Sequence, residues 1–199
     1  MGRSADIEEN RSYGPRLAAA WFDRPTAGVA RDLLGRVLVR SREARVMAVR
    51  IVETEAYVGG DPASHACAGR TRRNRSMFAT PATLYVYRIH QVYCANVVTR
   101  AGEAVLLRAG EALTPGLGGM NGPGRLCRVL GITTDQDGWS LASGEIQIRA
   151  GAPPISGVVS GPRVGIRKAA RRRLRFAVNG SRAVSLPRPP GWRPSKLSP

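Results

Sequence analysis

The sequence RVMAVRIVETEAY, residues 45–57, joins a strand-like segment to a pair of glutamates. Arg45 to Val52 is rich in β-branched residues, which predicts a β-strand. Glu53 and Glu55 follow directly, and residues two apart in a strand point to the same face. The two carboxylates therefore either share a pocket at the strand end or diverge there. The alternative is a solvated strand end with no chemical role.

Aromatic residues accumulate around this acidic pair. Tyr57, Tyr85, Tyr87 and Tyr93 are four of the five tyrosines of the chain. A flat ring stacks on an extruded nucleic-acid base with a gain of roughly 1–3 kcal/mol. A carboxylate in a partly dry aromatic site can act as a general base towards water. Ordinary packing is the competing explanation, and we favour it for Tyr85 and Tyr93.

The charge balance favours a polyanionic partner. The chain of 199 residues has 31 Lys and Arg against 14 Asp and Glu, a net charge of +17. The excess is almost all arginine, whose planar fork matches phosphate oxygens, and contact with a polyanion releases condensed counterions. A coding bias towards arginine explains the ratio of arginine to lysine but not the net charge.

The length, the apolar pattern and the cysteines limit the class of protein. The length fits one domain, and no apolar run approaches the ~20 residues of a membrane span. The sequence has three cysteines with wide spacing, which argues against a disulfide framework and favours a reducing cytoplasm. A zinc site from His65, Cys67, Cys94 and Cys127 is disfavoured because the chain lacks a Cys-x-x-Cys motif. We therefore expect no metal site.

The rest of the chain predicts more strands than helices. Thr26 is the expected N-cap of a helix that ends before Gly35. Thr83 to Tyr87 and Val92 to Thr99 read as strands, with a short connection around Ile89-His90-Gln91, and so predict a hairpin. Further strands are expected near residues 37–39, 104–107, 145–149 and 174–178, and a short helix over residues 126–130.

These segments resemble the alkyladenine DNA glycosylase family, the 3-methyladenine DNA glycosylases of the mammalian type. The resemblance covers roughly residues 26–178. It is carried, in family order and spacing, by VETEAY (52–57), His65, NRSMF (74–78), LYVY (84–87), CANVV (94–98), VLLRA (105–109), GPGRLC (122–127) and PRVGI (162–166).

The resemblance implies an α+β fold: a single compact domain around a curved antiparallel sheet, with flanking helices and a protruding β-hairpin that enters DNA. The composition of the chain ends predicts a flexible N-terminal arm at residues 1–15 and a proline-rich flexible tail at 186–199. Between them we expect a glycosylase domain at 16–185. The implied activity is that of a base-excision-repair DNA glycosylase. It flips alkylated or deaminated purines out of DNA and removes them hydrolytically, leaving an abasic site.

The resemblance also implies the site residues. Glu55 would be the general base that activates water for attack on C1′, and Arg108 would help to hold that water and the carboxylate. The side chains implied to bind the flipped base are Tyr57 and His65 on one face, Tyr87 on the other, and Asn96 below, where it rejects the 2-amino group of guanine. The resemblance also implies that no metal or cofactor is needed, and, with no lysine nucleophile placed, it implies a monofunctional hydrolase.

The expected DNA contacts include one departure from the family. The family's hairpin tip usually carries a Tyr-Gly pair that fills the gap in the duplex, but here the hairpin is one residue shorter, and His90 or Ile89 takes that position. The expected contacts to the DNA backbone are Arg70, Arg72, Arg73, Arg75, Arg163 and Lys168.

Three interpretations follow from these observations. The first is the monofunctional glycosylase, a monomer that acts on double-stranded DNA in the bacterial cytoplasm, associates with the nucleoid when bound, and has no membrane partner. The second is a DNA-binding protein of the same fold whose catalysis is weakened or lost through the altered hairpin tip. The third is a basic RNA-associated module, which leaves Glu55 and Asn96 unexplained.

Overall fold

The long strand β2, Arg45–Tyr57, organises the sheet of this protein. The structure is a computed structural model that describes residues 13–42, 45–152 and 157–194. Along one edge β2 pairs with β5, Glu103–Ala112. Along its other edge it pairs first with β1, Val37–Arg42, and then, from Glu53 to Glu55, with β9, Arg175–Val178. The acidic pair therefore has a hydrogen-bonded strand on each side.

All the strands in the described residues belong to one antiparallel sheet, which is strongly curled. The main order is β3-β4-β5-β2-β1-β7, with β6 beside β5 and with β8 beside β9. The bounds of the remaining strands are β3 Leu84–Ile89, β4 Val92–Arg100, β6 Met120–Asn121, β7 Ile146–Arg149 and β8 Val158–Gly161. The prediction of a single compact domain with a curved antiparallel sheet is confirmed.

Helices are few and short in the described part of the chain. They are α1 Ala19–Phe22, α2 Thr26–Asp32 and α3 Pro123–Leu130, with 3-10 turns at Arg75–Phe78 and Thr134–Gln136. Helix α3 turns Leu126, Cys127 and Leu130 into the core and ends at Gly131, whose φ of 60° is left-handed. The sequence prediction for this helix is therefore confirmed, with an earlier start at Pro123.

The prediction that Thr26 caps helix α2 is wrong. The N-cap is Pro25, and Thr26 is the first helical residue. The Thr26 hydroxyl is buried and bonds instead to Thr99, at 2.8 Å, and to Glu103. The side chain thus ties the helix to strands β4 and β5 instead of capping the helix.

The ends of the chain are only partly described. Residues 1–12 of the predicted arm and residues 195–199 of the predicted tail lie outside the described residues. Within the described part of the tail, Pro187 accepts a hydrogen bond from Arg175 at 2.7 Å. Among the described residues no helix is long and apolar enough to cross a membrane.

Strand β5 approaches β2 closely at Gly110, and a substitution there tests this contact. A Cβ at this position would lie 2.1 Å from Val49 Cγ1 and 3.1 Å from the Arg50 carbonyl oxygen. We expect Gly110→Ala to lower the free energy of unfolding by about 1–3 kcal/mol, because the packed strands would have to separate. Denaturant unfolding followed by circular dichroism measures this.

The matched control is Gly28→Ala in helix α2. A Cβ at Gly28 meets nothing within 4 Å, and alanine gains about 0.5–1 kcal/mol over glycine inside a helix. Equal midpoints for the two variants would contradict the predicted crowding at Gly110.

Candidate active site

A cleft of about 410 Å³ opens beside the carboxyl-terminal half of β2. Six of the side chains that line it are Tyr57, His65, Tyr85, Tyr87, Asn96 and Arg108. Strand β2 supplies Tyr57, and the loop after it supplies His65. Strand β3 supplies both Tyr85 and Tyr87, β4 supplies Asn96, and β5 supplies Arg108. The antiparallel order β3-β4-β5-β2 thus gathers these residues on one surface of the curled sheet.

Glu53 and Glu55 lie inside the protein and do not form a solvated strand end. Both side chains are 0% exposed, and both contact the guanidinium of Arg108. Arg108 Nε lies 3.1 Å from Glu53 Oε1, and Arg108 Nη1 lies 3.3 Å from Glu55 Oε1. The interpretation of an acidic pair that shares one site is therefore the one the geometry supports.

The Glu55 carboxylate lies directly behind the wall of the cleft. Oε1 accepts a hydrogen bond from the Val164 amide at 2.8 Å, and Oε2 accepts one from the Tyr57 hydroxyl at 3.0 Å. Tyr57, Val164 and Arg108 all line the cleft. The carboxylate is therefore in contact with three residues of the cleft wall.

Burial sets the protonation behaviour of this carboxylate. Loss of solvent raises the pKa of Glu55 above its ordinary value, although Arg108, the Val164 amide and the Tyr57 hydroxyl oppose the shift. The negative charge of Glu53 raises the pKa of Glu55 further. A carboxylate with a raised pKa is a stronger base once ionised, which suits proton abstraction from water.

Three aromatic rings of the cleft touch one another. His65 and Tyr87 meet edge to face with ring centroids 4.4 Å apart, and Tyr85 lies 5.7 Å from Tyr87. The Tyr85 hydroxyl is 2.9 Å from His65 Nδ1. Tyr85 is 2% exposed, so its ring packs as expected, but its hydroxyl contact with His65 escaped the sequence analysis.

The ring of His65 does not leave room for a base against Tyr87. Two rings that enclose a third need a separation of roughly 7 Å, twice the ~3.5 Å contact distance of carbon atoms. His65 would therefore have to turn away from Tyr87 to take the predicted place on the opposite face of a base. Burial, with a smaller contribution from Arg73, lowers the pKa of His65 and keeps the imidazole neutral at neutral pH.

Asn96 is fixed at the cleft by the backbone. Its amide nitrogen donates to the carbonyl oxygens of Tyr85, at 3.0 Å, and Cys94, at 3.2 Å. The side chain is 3% exposed and borders the cleft. An amide held at two points cannot yield to a ligand atom without breaking hydrogen bonds, so it can act as a rigid contact.

The arginine-rich loop presents its charges to solvent. Arg70, Arg72, Arg73 and Arg75 are all exposed. Asn74 at their centre is buried and donates to the carbonyl oxygens of His65, at 2.8 Å, and Gly69, at 3.0 Å. Asn74 therefore ties the loop to the cleft residue His65, a role that its position among arginines did not reveal.

The prediction that Arg163 contacts the DNA backbone is wrong. Its side chain is 0% exposed and forms a bidentate pair with Asp61, which is also 0% exposed. It also donates to the Ala56 carbonyl at 2.9 Å and lies 4.6 Å above the Tyr57 ring. Arg163 thus holds Tyr57 and the turn after β2, and no motif in the sequence marked Asp61 as its partner.

Lys168 is exposed and lines the cleft together with Arg167, so it remains available to a phosphate. Ile89 ends β3, is 47% exposed and also borders the cleft. It pairs with Val92, which leaves His90 and Gln91 as a two-residue turn. His90 has a φ of 51°, a conformation that favours glycine.

The described residues contain no group of three or more His, Cys, Asp or Glu side chains that could hold a metal ion. Cys67 is exposed, whereas Cys94 and Cys127 are buried. Burial raises the pKa of Cys127 to about 12, so its thiol stays protonated. The cysteines and His65 therefore do not form a cluster with zinc-binding geometry in the described chain.

Comparison with known proteins identifies enzymes that remove bases from DNA. A family model described as methylpurine-DNA glycosylase matches residues 20–182, so the chain belongs to the methylpurine-DNA glycosylase family. It is accordingly a DNA N-glycosylase of base-excision repair. The predicted enzyme class is confirmed, and the interpretation as a binding protein without catalysis is not favoured.

Similar proteins occur in archaea and bacteria. A protein of Methanoculleus marisnigri is 47% identical over 190 residues, which cover 85% of this chain and 98% of that protein. A protein of Anaeromyxobacter dehalogenans is 46% identical over 185 residues, with 88% of each chain covered. One of Agrobacterium fabrum is 38% identical over 190 residues, which cover 88% and 95%. All three proteins are named as proposed 3-methyladenine DNA glycosylases.

The Asp61–Arg163 pair supplies a test of this geometry. The Asp61→Asn substitution leaves a buried guanidinium without a charged partner, and we expect it to lower the free energy of unfolding by about 3–5 kcal/mol. Burial alone raises the pKa of Asp61, but the hydrogen bonds and charge of Arg163 outweigh it and lower the pKa. The stabilisation is thus present above the ordinary pKa of aspartate and is lost as the pH falls through the lowered value. Denaturant unfolding at several pH values measures it.

Asp32→Asn is the control for this experiment. Asp32 pairs with Arg24 at 2.9 Å, but both side chains are more than a third exposed. Such a pair contributes about 0–1 kcal/mol. If Asp61→Asn cost no more than Asp32→Asn at neutral pH, the structural role of Arg163 would be refuted.

Proposed function

We propose that the protein flips an alkylated or deaminated purine out of double-stranded DNA into the cleft and hydrolyses its N-glycosidic bond. The observation that carries this proposal is the Glu55 carboxylate, which is held by Arg108, Tyr57 and the Val164 amide directly behind the cleft. The products are a free base and an abasic site. The reaction is a hydrolysis at C1′, in which the base leaves with the bonding electrons and water supplies the new oxygen.

Glu55 is the proposed general base. Once ionised, it takes a proton from water as the water oxygen bonds to C1′. Arg108 is the proposed partner that keeps the carboxylate oriented through the 3.3 Å contact of Nη1 with Glu55 Oε1. Because water is the nucleophile, the reaction is monofunctional and requires no covalent bond between the enzyme and the sugar.

The aromatic wall favours a cationic base. An alkylated purine such as 3-methyladenine carries positive charge, and aromatic faces attract cations. Tyr57 and Tyr87 are the proposed stacking groups, together with His65 once its ring has turned away from Tyr87. Since its lowered pKa keeps His65 neutral, the imidazole does not repel a positively charged ring. Flipping costs a few kcal/mol and is least costly for damaged or mispaired bases, which adds selectivity.

Asn96 is the proposed selectivity residue. Its amide nitrogen is bound to two backbone carbonyl groups, so the side chain cannot easily move aside. We propose that it excludes the 2-amino group of normal guanine by contact. Adenine-like and hypoxanthine-like bases lack that group and fit above the amide.

The DNA path follows the exposed cations near the cleft. The proposed phosphate contacts are Arg70, Arg72, Arg73, Arg75 and Lys168, all of which are exposed. The hairpin of β3 and β4 would enter the duplex, with Ile89 or His90 in the gap left by the flipped base. We further propose that the protein acts as a monomer in the cytoplasm, where the chromosomal DNA of bacteria and archaea is located.

Glu55→Gln tests the catalytic role. The amide keeps the size of the side chain but cannot accept a proton from water, so we expect at least about a hundredfold slower base release. The assay measures single-turnover release from duplexes that contain hypoxanthine, ethenoadenine or 3-methyladenine. For the wild type, activity should fall with acidity and reach half its maximum above the ordinary pKa of glutamate, because the raised pKa protonates the base early.

Glu111→Gln is the matched control, because Glu111 pairs with Arg50 at 3.5 Å outside the cleft. Its release rate should equal that of the wild type. Failure of the wild type to release any of the three bases, or equal release by Glu55→Gln, would refute the proposal.

Ile89→Ala tests the hairpin wedge. Removing the exposed side chain should slow release from a fully paired duplex by about tenfold, because unstacking loses its apolar wedge. Release of the same lesion from a single strand should change little, since no pair has to be opened. The comparison of single-turnover rates on the two substrates is the measurement.

Trp139→Ala serves as the control, because Trp139 is also a large exposed hydrophobic residue, 39% exposed, outside the cleft lining. An Ile89→Ala variant that lost the same factor on both substrates would show that Ile89 acts in the cleft and does not open the duplex.

A further inference from the structure

A buried polar cluster contacts Arg108, and its other members, Glu53, Arg175 and Ser185, do not line the cleft. Its centre is Glu53, which is 0% exposed and accepts four hydrogen bonds. The donors are Arg108 Nε at 3.1 Å, Arg175 Nε at 2.6 Å, the Ser185 amide at 2.7 Å and the Ser185 hydroxyl at 2.9 Å. The proposed mechanism uses only Arg108 of these residues.

The cluster holds the chain after β9 against the sheet. Arg175 in β9 is 2% exposed and donates to the carbonyl oxygens of Ser185, at 2.9 Å, and Pro187, at 2.7 Å. Glu53 holds the amide and hydroxyl of the same serine. The segment of residues 185–187 therefore has polar links to both β2 and β9, even though Leu186 between them is 69% exposed.

All three guanidinium nitrogens of Arg108 have partners, and two of these partners belong to the cluster. Nε donates to Glu53, Nη2 donates to the Ser185 hydroxyl at 3.1 Å, and Nη1 faces Glu55 at 3.3 Å. A planar guanidinium bound at Nε and Nη2 can present Nη1 in one direction only. The contact with Glu55 is therefore oriented by Glu53 and Ser185.

We propose that Ser185 is a positioning residue, which, together with Glu53, orients Arg108 towards Glu55. The segment after β9 is then part of the catalytic apparatus, although the family match ends at residue 182. This inference rests on the proposed function, because it takes Glu55 and Arg108 as the working pair. Ser185 itself is buried and does not line the cleft, so its proposed effect on the reaction passes through Arg108.

The electrostatics of Glu55 agree with this arrangement. The groups that face its carboxylate are Arg108 from β5, Glu53 and Tyr57 from β2, and the Val164 amide after β8. Glu53 raises the pKa of Glu55 by like-charge repulsion, and it also raises the pKa of Arg108. A change at Glu53 must therefore change the pH dependence of the reaction, which a purely structural residue would not do.

Ser185→Ala is the principal experiment. The variant leaves Arg108 Nη2 without its hydroxyl partner, and we expect the single-turnover rate of base release to fall about tenfold. The affinity for duplex that contains a stable abasic analogue should stay within about twofold of wild type, because Ser185 is buried and does not line the cleft. With enzyme in excess, the rate constant does not depend on how much of the enzyme is folded.

Ser181→Ala is the matched control. Ser181 is also buried in the segment after β9 and also donates to a carboxylate, Glu111, at 2.7 Å, but it lies outside the Arg108 cluster. Its rate should match that of the wild type. A Ser185→Ala rate equal to that of wild type, or equal slowing of the two serine variants, overturns the inference.

Glu53→Gln supplies the second readout. Removal of the Glu53 charge takes away a repulsion that raises the pKa of Glu55, and it leaves Glu55 as the charged carboxylate that contacts Arg108. The pKa of Glu55 should therefore fall, and the acid limb of the pH–rate profile should move to lower pH. A limb that stays in place or moves to higher pH overturns the coupling. If this variant does not fold, the two serine variants decide the question alone.

The proposed function and this inference fail in different ways. Glu55→Gln with wild-type activity removes the proposed function, whatever Ser185 does. Inactive Glu55→Gln together with fully active Ser185→Ala keeps the proposed function and removes only the positioning role.

Discussion

The compensation of buried charge around Arg108 is the constraint on which the site depends. Glu53 and Glu55 are both fully buried, and an isolated buried carboxylate loses several kcal/mol of hydration. Arg108 and Arg175 supply two positive charges within 3.3 Å of these two carboxylates. Without them, the buried glutamates would take up protons or the strand would turn outward, and the ionised Glu55 that the proposed mechanism requires would not be maintained.

Glu53 and Glu55 are compensated to different degrees, and the difference suits the proposed hydrolysis. Glu53 accepts hydrogen bonds from two arginines and from both polar groups of Ser185. Glu55 has one arginine at 3.3 Å, an amide and a phenol, and its pKa remains raised. The strongly bound carboxylate therefore serves as an anchor. The more weakly compensated Glu55 keeps the basicity that its proposed role in activating water requires. One strand thus carries both carboxylates, two residues apart.

The sequence predicts local structure and motifs better than it predicts which side chains contact each other. The strand before Glu53 follows from β-branched residues, and Glu55 and Arg108 follow from the family resemblance. The burial of the acidic pair does not follow, because polar residues after a strand resemble a strand end. Ser185 is 132 residues from Glu53, and Arg163 is 102 residues from Asp61. Such pairs depend on the tertiary fold, so an arginine beside the cleft was mistaken for a DNA contact.

The correction at Arg163 leaves the argument from charge intact. Three buried cations, Arg108, Arg163 and Arg175, are paired with the buried anions Glu53, Glu55 and Asp61. Three positive and three negative charges cancel, so the excess of +17 belongs to the rest of the chain. Some of these remaining positive charges are exposed near the cleft. Arg167 and Lys168 line its wall, and the loop beside it carries Arg70, Arg72, Arg73 and Arg75. The exposed charges available to a polyanion are thus separate from the buried charges around Glu55. Salt should therefore weaken DNA binding without disturbing the buried pairs.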